Sequence, residues 1–254
     1  CSDDVAKRFA SYGWNVINVG EIGEDLDALE SMLVTARKHT GQPTLCILKT
    51  HIGFPSPDFT DVHEAHGNPF TTDHVATTKA RMGIPNEPFW APNDLVSQLR
   101  AHAKTRGAEL LSAYDTTVAH AEGKHGFDQC WSVPDADAVA SLMPTFAPDS
   151  TLATRQAIQQ CIEASASALP GLIIGSADLT GNTGVKVKSV GAQSKQLPTG
   201  QQVYFGIREH AMGAAMVGMA LHGGTIPVGG TFFVFADYMR PAIRLAALSK
   251  ARVI

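Results

Sequence analysis

The 254-residue sequence contains no apolar run that approaches the roughly 20 residues needed by a membrane-spanning helix. It also lacks an excess of basic residues, since 20 Lys and Arg face 24 Asp and Glu for a formal net charge of −4. A chain of that charge does not present a general surface for nucleic acid or anionic membranes. We therefore expect neither nucleic acid nor a membrane among its partners.

Cysteine is scarce. The four cysteines stand at positions 1, 46, 130 and 161, and no two of them are spaced as CxxC. Such uneven spacing favours free thiols in a reducing compartment over disulfides, so we expect a cytoplasmic protein. With 44% hydrophobic and 17% charged residues, the composition is that of a folded globular chain rather than a disordered one.

Strands and helices are predicted to alternate along the chain. Compact apolar runs predict strands, and apolar positions three or four residues apart predict helices. The predicted helices cover residues 3–12, 26–39, 72–82, 93–123, about 150–168, 208–221 and 237–249, and the predicted strands cover 14–19, 44–49, 172–175, 202–205, 225–228 and 231–235. This order indicates an α/β fold of parallel sheets flanked by helices.

Two domains are predicted, over residues 1–123 and 150–254. The intervening residues 124–149 are polar and interrupted by proline, so we interpret them as a linker. Residues 51–70, rich in Gly, Pro, Asp and His, form a long surface loop in this prediction, and structureless loops of that length tend to be functional.

Glu209 follows a predicted strand in the segment YFGIREHAM and stands in the first turn of a predicted helix. The apolar stripe of that helix is Met212, Ala215, Met216 and Met219, which is small and flexible enough for close packing. A glutamate at a helix start also simply favours the helix dipole. The segment alone leaves both interpretations open.

Three aromatic residues, Phe232, Phe235 and Tyr238, recur at every third position after the next predicted strand. Alone, such residues are more typical of a core. A carboxylate that faces an aromatic slot, however, suits a flat heteroaromatic cofactor with one basic ring nitrogen. Because the strands are parallel, these residues are expected at one edge of the sheet, where such folds bind ligands.

Six motifs in order along the chain resemble the transketolase family: KTHIGFPSP, EAHGNPF, ATR, SADLTGN, GIREHAMG and GTFFVFADYMRPAIRL. The resemblance covers almost the whole chain, and the arginine before Glu209 separates it from deoxyxylulose-phosphate synthases, whose segment resembles AEQH. It implies the thiamine-diphosphate-binding fold, running from the diphosphate-binding domain into the pyrimidine-binding domain, with both domains incomplete. We therefore expect an internal piece of a longer polypeptide.

The resemblance also implies roles for individual residues in the cofactor site. Glu209 corresponds to the glutamate that hydrogen-bonds N1′ of the aminopyrimidine. Phe235, with Phe232 and Tyr238, corresponds to the aromatic pocket around that ring, and Asp178 to an aspartate near the thiazolium.

A second group of roles concerns the substrate and the thiazolium. Arg155 corresponds to the arginine that grips the sugar phosphate. Asn182 stands where the family often has a serine that helps it, so this phosphate contact departs from the pattern. His66 corresponds to the histidine that reaches the diphosphate and the reacting substrate, and Ile52 to a residue that packs on the thiazolium.

As a whole, the resemblance implies ketol transfer between sugar phosphates by a homodimer, with the active site at the subunit interface. Mg²⁺ or Ca²⁺ would be held by residues outside this chain. Dihydroxyacetone synthase, which uses formaldehyde as acceptor, and a non-catalytic α/β module stay open as alternatives. A zinc site at His51, His63 and His66 lacks supporting ligand spacing, and a nicotinamide dehydrogenase is disfavoured because no GxGxxG follows a strand.

Overall fold

The computed structural model describes residues 2–121, 123, 126–132 and 134–254. The chain divides into two units, the first ending at His102 and the second beginning at Ala103. Within the described ranges no helix is long and apolar enough to cross a membrane. Cys1 lies outside these ranges, and the other three cysteines, Cys46, Cys130 and Cys161, are free thiols, as predicted.

The first unit contains a pair of parallel strands and several helices. Helices α1 (Val5–Ser11), α2 (Leu26–Lys38) and α3 (Thr72–Met82) lie here, and α4 (Asn93–Ala121) begins here. Strands β1 (Asn15–Gly20) and β2 (Thr44–Leu48) are paired in parallel, as the strand–helix–strand order predicts.

The start of α2 illustrates why these helices form where they do. The side chain of Asp25 accepts a hydrogen bond from the backbone N–H of Ala28 at 2.9 Å, which satisfies one of the donors left free at a helix start. The same arrangement, between Asp4 and Lys7, starts α1.

The second unit contains a three-stranded sheet. Strands β3 (Leu172–Ser176), β4 (Gln202–Tyr204) and β5 (Ile226–Gly230) lie in the order β4-β3-β5, and both pairings are parallel. Helices α5 (Phe127–Trp131), α6 (Ala136–Leu142), α7 (Thr154–Ala166), α8 (Glu209–His222) and α9 (Ala236–Leu248) complete the unit. Two of these, α5 and α6, lie in the segment interpreted as a linker.

Each face of this sheet is covered by helix. One face packs against α7, through a cluster that includes Ile162, Ile174 and Val228. Because neighbouring residues of a strand point to opposite faces, Gly229 faces the other side, where Met216 of α8 packs so closely that a Cβ on Gly229 would lie 2.5 Å from its sulfur. The sheet is therefore enclosed on both sides, and its carboxyl edge is left for a ligand.

The apolar stripe predicted for α8 is wrong at one position. Ala215 is exposed, and the buried residues of α8 are Glu209, Met212, Gly213 and Met216. Gly213 is buried because α9 approaches there: a Cβ on Gly213 would lie 2.9 Å from the Cβ of Ala242. The expected close packing against the methionines is present.

The predicted start of one helix and the predicted type of one short element are also wrong. Helix α7 begins at Thr154 rather than near residue 150, and its first turn is closed by Gln156, whose Oε1 accepts from Ala153 N at 3.1 Å. Residues 231–235 are not a strand, since Phe233–Phe235 is a 3₁₀ turn. Short apolar runs are compatible with either structure, so their composition alone does not decide between them.

Candidate active site

Glu209 is the first residue of α8 and lies just beyond the end of β4. Gly206, with φ +69°, allows the chain to turn between the two elements, and Arg208 Nη1 donates to Phe205 O at 3.0 Å across that turn. The Glu209 residue is only 9% exposed. Within the described ranges, no side chain forms a hydrogen bond or an ion pair with its carboxylate.

The Glu209 carboxylate borders a cavity of about 370 Å³, which we call the Glu209 cavity. Its lining residues are Ala177, Asp178, Leu179, Ile207, Glu209, Phe235 and Tyr238. They follow the ends of all three strands of the sheet, as expected for a ligand site in a parallel sheet. Four of the predicted cofactor residues, Asp178, Glu209, Phe235 and Tyr238, therefore meet in one place.

One side of the Glu209 cavity is aromatic. The rings of Phe232 and Phe235 are 6.3 Å apart at an interplanar angle of 25°, and those of Phe235 and Tyr238 are 6.2 Å apart at 38°. The 3₁₀ turn and the start of α9 place every third side chain on one side, which produces this row. Phe232 itself borders the neighbouring cavity rather than this one.

Asp178 lies in the turn that follows β3, and its backbone is in the left-handed region with φ +63°. That conformation is unusual for a residue other than glycine and clusters at functional sites. The turn is held from within, since the side chain of Thr183 donates to Leu179 O at 2.9 Å. The exposed Asp178 side chain is thus carried by a well-bonded turn.

A second cavity, of about 410 Å³, contains the residues predicted to bind phosphate, and we call it the Arg155 cavity. Its lining residues are Ala153, Thr154, Arg155, Ile158, Asn182, Thr183, Thr231, Phe232 and Phe233. Arg155 is exposed, and no carboxylate in the described part of the chain forms an ion pair with it. Its guanidinium and the Asn182 amide are therefore available to an anion.

Sequence reasoning missed Thr231. Its Oγ1 is buried and has no hydrogen-bond partner among the described residues, and the residue borders the Arg155 cavity. Buried hydroxyls are normally bonded, so such an atom calls for an explanation. The signal available in the sequence is its position between Gly230 and Phe232, directly before the aromatic row.

Ile52 and His66 belong to the first unit, within the 51–70 loop. Ile52 is exposed, and its carbonyl accepts a hydrogen bond from Asp61 N at 2.9 Å. His66 ends a 3₁₀ turn, His63–His66, and is exposed as well.

Two of the three histidines of this loop, His51 and His63, each lie beside a carboxylate. His51 Nδ1 is 2.8 Å from Asp61 Oδ2, and His63 Nδ1 is 3.3 Å from Glu64 Oε2. Among the residues that the structure describes, no group of three or more His, Cys, Asp or Glu side chains is arranged to hold a metal ion.

Comparison with known proteins gives matches along the chain. A family model described as "Transketolase, thiamine diphosphate binding domain" matches residues 1–130, and another described as "Transketolase, pyrimidine binding domain" matches residues 150–254. The chain is 39% identical over 260 residues to Transketolase 10 of Craterostigma plantagineum. The aligned region covers 100% of this chain and 38% of that relative.

Solved structures give the same result. A transketolase from Leishmania mexicana superposes with a TM-score of 0.86 at 31% identity, covering 100% of this chain and 38% of that one. A transketolase of Pichia stipitis in complex with sedoheptulose-7-phosphate superposes with a TM-score of 0.83 at 29% identity, covering 99% and 39%. The predicted α/β fold with parallel sheets is therefore confirmed, and the chain spans about 38% of the length of these relatives.

Proposed function

Because the chain belongs to the transketolase family, we propose that it is part of an enzyme that transfers a two-carbon ketol unit from a ketose phosphate to an aldose phosphate. One observation carries this proposal: the buried carboxylate of Glu209 shares a cavity with the aromatic rings of Phe235 and Tyr238 and with Asp178. A carboxyl group beside aromatic rings suits thiamine diphosphate, whose pyrimidine is flat and has basic ring nitrogens.

In this proposal the carboxyl group of Glu209 would form a hydrogen bond with N1′ of the pyrimidine. Phe235, stacked with Phe232 and tilted against Tyr238, would contact the pyrimidine ring together with Tyr238 and exclude water from it. When bound, thiamine diphosphate supplies the electron sink for the carbon–carbon bond that breaks, while the protein supplies position and electrostatics. Asp178 and Ile52 are proposed to lie at the thiazolium.

The substrate is proposed to bind with its phosphate in the Arg155 cavity. A guanidinium makes paired hydrogen bonds to phosphate, and the Asn182 amide adds a further donor there. His66 is proposed to reach the diphosphate and the reacting substrate. The Pichia stipitis relative, solved with a sugar phosphate, supports this class of substrate.

A second subunit is proposed to complete the site. One apolar side chain in each cavity lining is strongly exposed, Phe233 at 94% and Ile207 at 77%, and large apolar side chains exposed at a ligand site are compatible with coverage by a partner. We propose a homodimer. Mg²⁺ or Ca²⁺ is proposed to neutralise the cofactor's diphosphate, held by residues outside this chain.

The domain bounds, the cellular compartment and the metabolic pathway belong to the same proposal. The domains are proposed to span residues 1–123 and 150–254, joined by 124–149. The free thiols of Cys46, Cys130 and Cys161 support a reducing compartment such as the cytoplasm. We also propose that the enzyme acts in the pentose phosphate pathway, whose reactions include ketol transfer between sugar phosphates.

The proposal is tested with the full-length protein by titrating thiamine diphosphate in the presence of Mg²⁺ and by assaying ketol transfer from xylulose 5-phosphate. Saturable cofactor binding and transfer to ribose 5-phosphate are expected. Asn182 in place of serine gives dihydroxyacetone synthase as the second candidate, which would show preferential transfer to formaldehyde. A correctly folded protein that binds no thiamine diphosphate would instead be a non-catalytic module.

A further inference from the structure

Ser176 is the last residue of the central strand β3 and is completely buried, with 0% of its surface exposed. Its backbone carbonyl accepts a hydrogen bond from Phe205 N at 3.1 Å. Its hydroxyl Oγ donates to Gly230 O at 2.6 Å and accepts from Leu179 N at 3.1 Å. A single residue thus bonds to three separate segments of the second unit.

Each of those three segments leads directly into the wall of the Glu209 cavity. Phe205 precedes the turn into Glu209, and Leu179 itself lines the cavity next to Asp178. Gly230 precedes the aromatic row that includes Phe235. Ser176 is therefore hydrogen-bonded to the segments that carry Glu209, Asp178 and Phe235. Its own side chain does not line the Glu209 cavity.

The two hydrogen bonds of the Ser176 hydroxyl fix the backbone beside Asp178 and at Gly230. Asp178 occupies the left-handed region, a conformation that is uncommon for residues other than glycine although aspartate adopts it more readily than most, and the Leu179 N–H that bonds to Ser176 comes directly after it. Gly230 lies in a tight place, since a Cβ there would be 2.6 Å from Val185 Cγ1 and 2.7 Å from Thr183 Oγ1.

We propose that Ser176 is a positioning residue, whose hydroxyl sets the distance between the Asp178 turn and the aromatic row across the Glu209 cavity. This inference rests on the proposed function, because it concerns the same cavity and its cofactor. Besides the backbone pairing of Ser176 with Gly230 in the sheet, the hydroxyl adds a side-chain link between these two segments, and the backbone bond to Phe205 is independent of it. Alanine at this position leaves Leu179 N and Gly230 O without that shared partner.

Ser165 offers a matched control. It is also a buried serine of the second unit, at 8% exposure, and its Oγ donates to a backbone carbonyl, that of Cys161, at 2.8 Å. This bond lies within α7 and touches no residue of the Glu209 cavity. Ser165→Ala and Ser176→Ala therefore both remove a buried hydroxyl. Only Ser176→Ala removes hydrogen bonds to segments that carry residues of the Glu209 cavity.

The two variants are compared in the full-length protein by measuring the dissociation constant of thiamine diphosphate with Mg²⁺ and the thermal unfolding midpoint. We expect the dissociation constant to rise about tenfold in Ser176→Ala and by less than about twofold in Ser165→Ala. Ser176→Ala is expected to lower the unfolding midpoint, whereas Ser165→Ala is expected to change it little, because the bond it loses lies within α7 and alanine favours a helix. Equal dissociation constants in the two variants would mean that Ser176 only stabilises the fold, and the inference would be overturned.

Two further outcomes keep the test decisive. If Ser176→Ala does not fold, Ser176→Cys replaces it, because its thiol is a weak donor and the dissociation constant is still expected to rise; an unchanged constant overturns the inference. If the wild-type full-length protein binds no thiamine diphosphate, the proposed function itself fails and the inference fails with it. Binding by wild type and unchanged binding by both Ser176 variants refutes the inference alone.

Discussion

Gly213 of α8 lies directly against Ala242 of α9, so that a Cβ built on Gly213 would be 2.9 Å from the Cβ of Ala242 and 3.1 Å from Met239 Cε. Both Gly213 and Ala242 are buried. The contact brings together the helix that begins with Glu209 and the helix that carries Tyr238. Small residues at this crossing thus keep two walls of the Glu209 cavity close to each other.

Gly213→Ala is therefore expected to destabilise the protein. Alanine favours a helix over glycine by about 0.5–1 kcal/mol, but inserting a methyl group into a packed contact costs about 1–3 kcal/mol. The overpacking outweighs the helix propensity because the nearest atom is a Cβ, which cannot move without moving α9. A lower thermal unfolding midpoint of the full-length protein is the expected result.

Gly218→Ala is the control for this prediction. Gly218 is in the same helix, and a Cβ there would meet nothing within 4 Å, so the propensity gain is expected without a clash. The two substitutions should move the unfolding midpoint in opposite directions. Stabilisation by both would show that α8 and α9 have room to separate.

Part of the convergence in the second unit could be predicted from the sequence. Glu209 and Asp178 each follow a predicted strand, and parallel strands end at one edge of a sheet, so their proximity follows from the order of elements. Phe235 was instead predicted to end a strand over 231–235, and it lies at the cavity because that segment forms a 3₁₀ turn. Their roles stay predictions, because the sharing of a cavity does not identify its ligand. The 51–70 loop was predicted from its Gly and Pro content for a similarly local reason.

What could not be predicted depends on contacts between distant segments. Ala215 is exposed and Gly213 buried because of where α9 packs, which the period of α8 does not contain. The buried hydroxyl of Ser176 was missed because a serine after an apolar strand has no distinctive pattern. By contrast, α6 was predictable: Asp135 accepts from Asp137 N and Ala138 N, a helix-start signal that stands in the sequence.

Glu209→Ala and Glu209→Gln are expected to lower turnover of the full-length enzyme by about 100-fold or more, the usual contribution of a group that positions or transfers a proton. The unfolding midpoint should not fall, because no hydrogen bond to the carboxylate is lost among the described residues. Buried groups kept for function commonly cost stability. Turnover and thermal unfolding are measured on the same preparations.

A matched control for Glu209 is Glu109→Gln, on the exposed surface of α4. It removes a carboxylate without touching either cavity. Turnover close to wild type is expected in the control only. Wild-type turnover in correctly folded Glu209→Ala would defeat the assignment of this residue.

Arg155→Lys is expected to raise KM for ribose 5-phosphate by about tenfold with little change in kcat, because lysine keeps the charge but loses the planar fork that binds phosphate. The effect should vanish with formaldehyde as acceptor, which has no phosphate. Arg106→Lys, exposed on α4, serves as the control. An equal rise in KM for both acceptors would argue against a phosphate contact at Arg155.

Glu163 of α7 fixes the segment that precedes β4 through two backbone hydrogen bonds. Its carboxylate accepts from Lys188 N at 2.8 Å and from Ser189 N at 2.9 Å. Partial burial raises the pKa of Glu163, but these hydrogen bonds and the charge of Lys188 together outweigh that effect, so its pKa lies below the ordinary value of 4.5. The ionised carboxylate is therefore favoured in the folded state.

A carboxyl group whose pKa is lower in the folded than in the unfolded state stabilises the fold above the unfolded pKa and loses that contribution as the pH falls through the folded pKa. Glu163→Gln should therefore lower the thermal unfolding midpoint of the full-length protein at neutral pH. The gap between variant and wild type should close progressively below about pH 4.5. A gap that stays constant over this range would show that the lost hydrogen-bond geometry, rather than the charge of Glu163, determines its contribution.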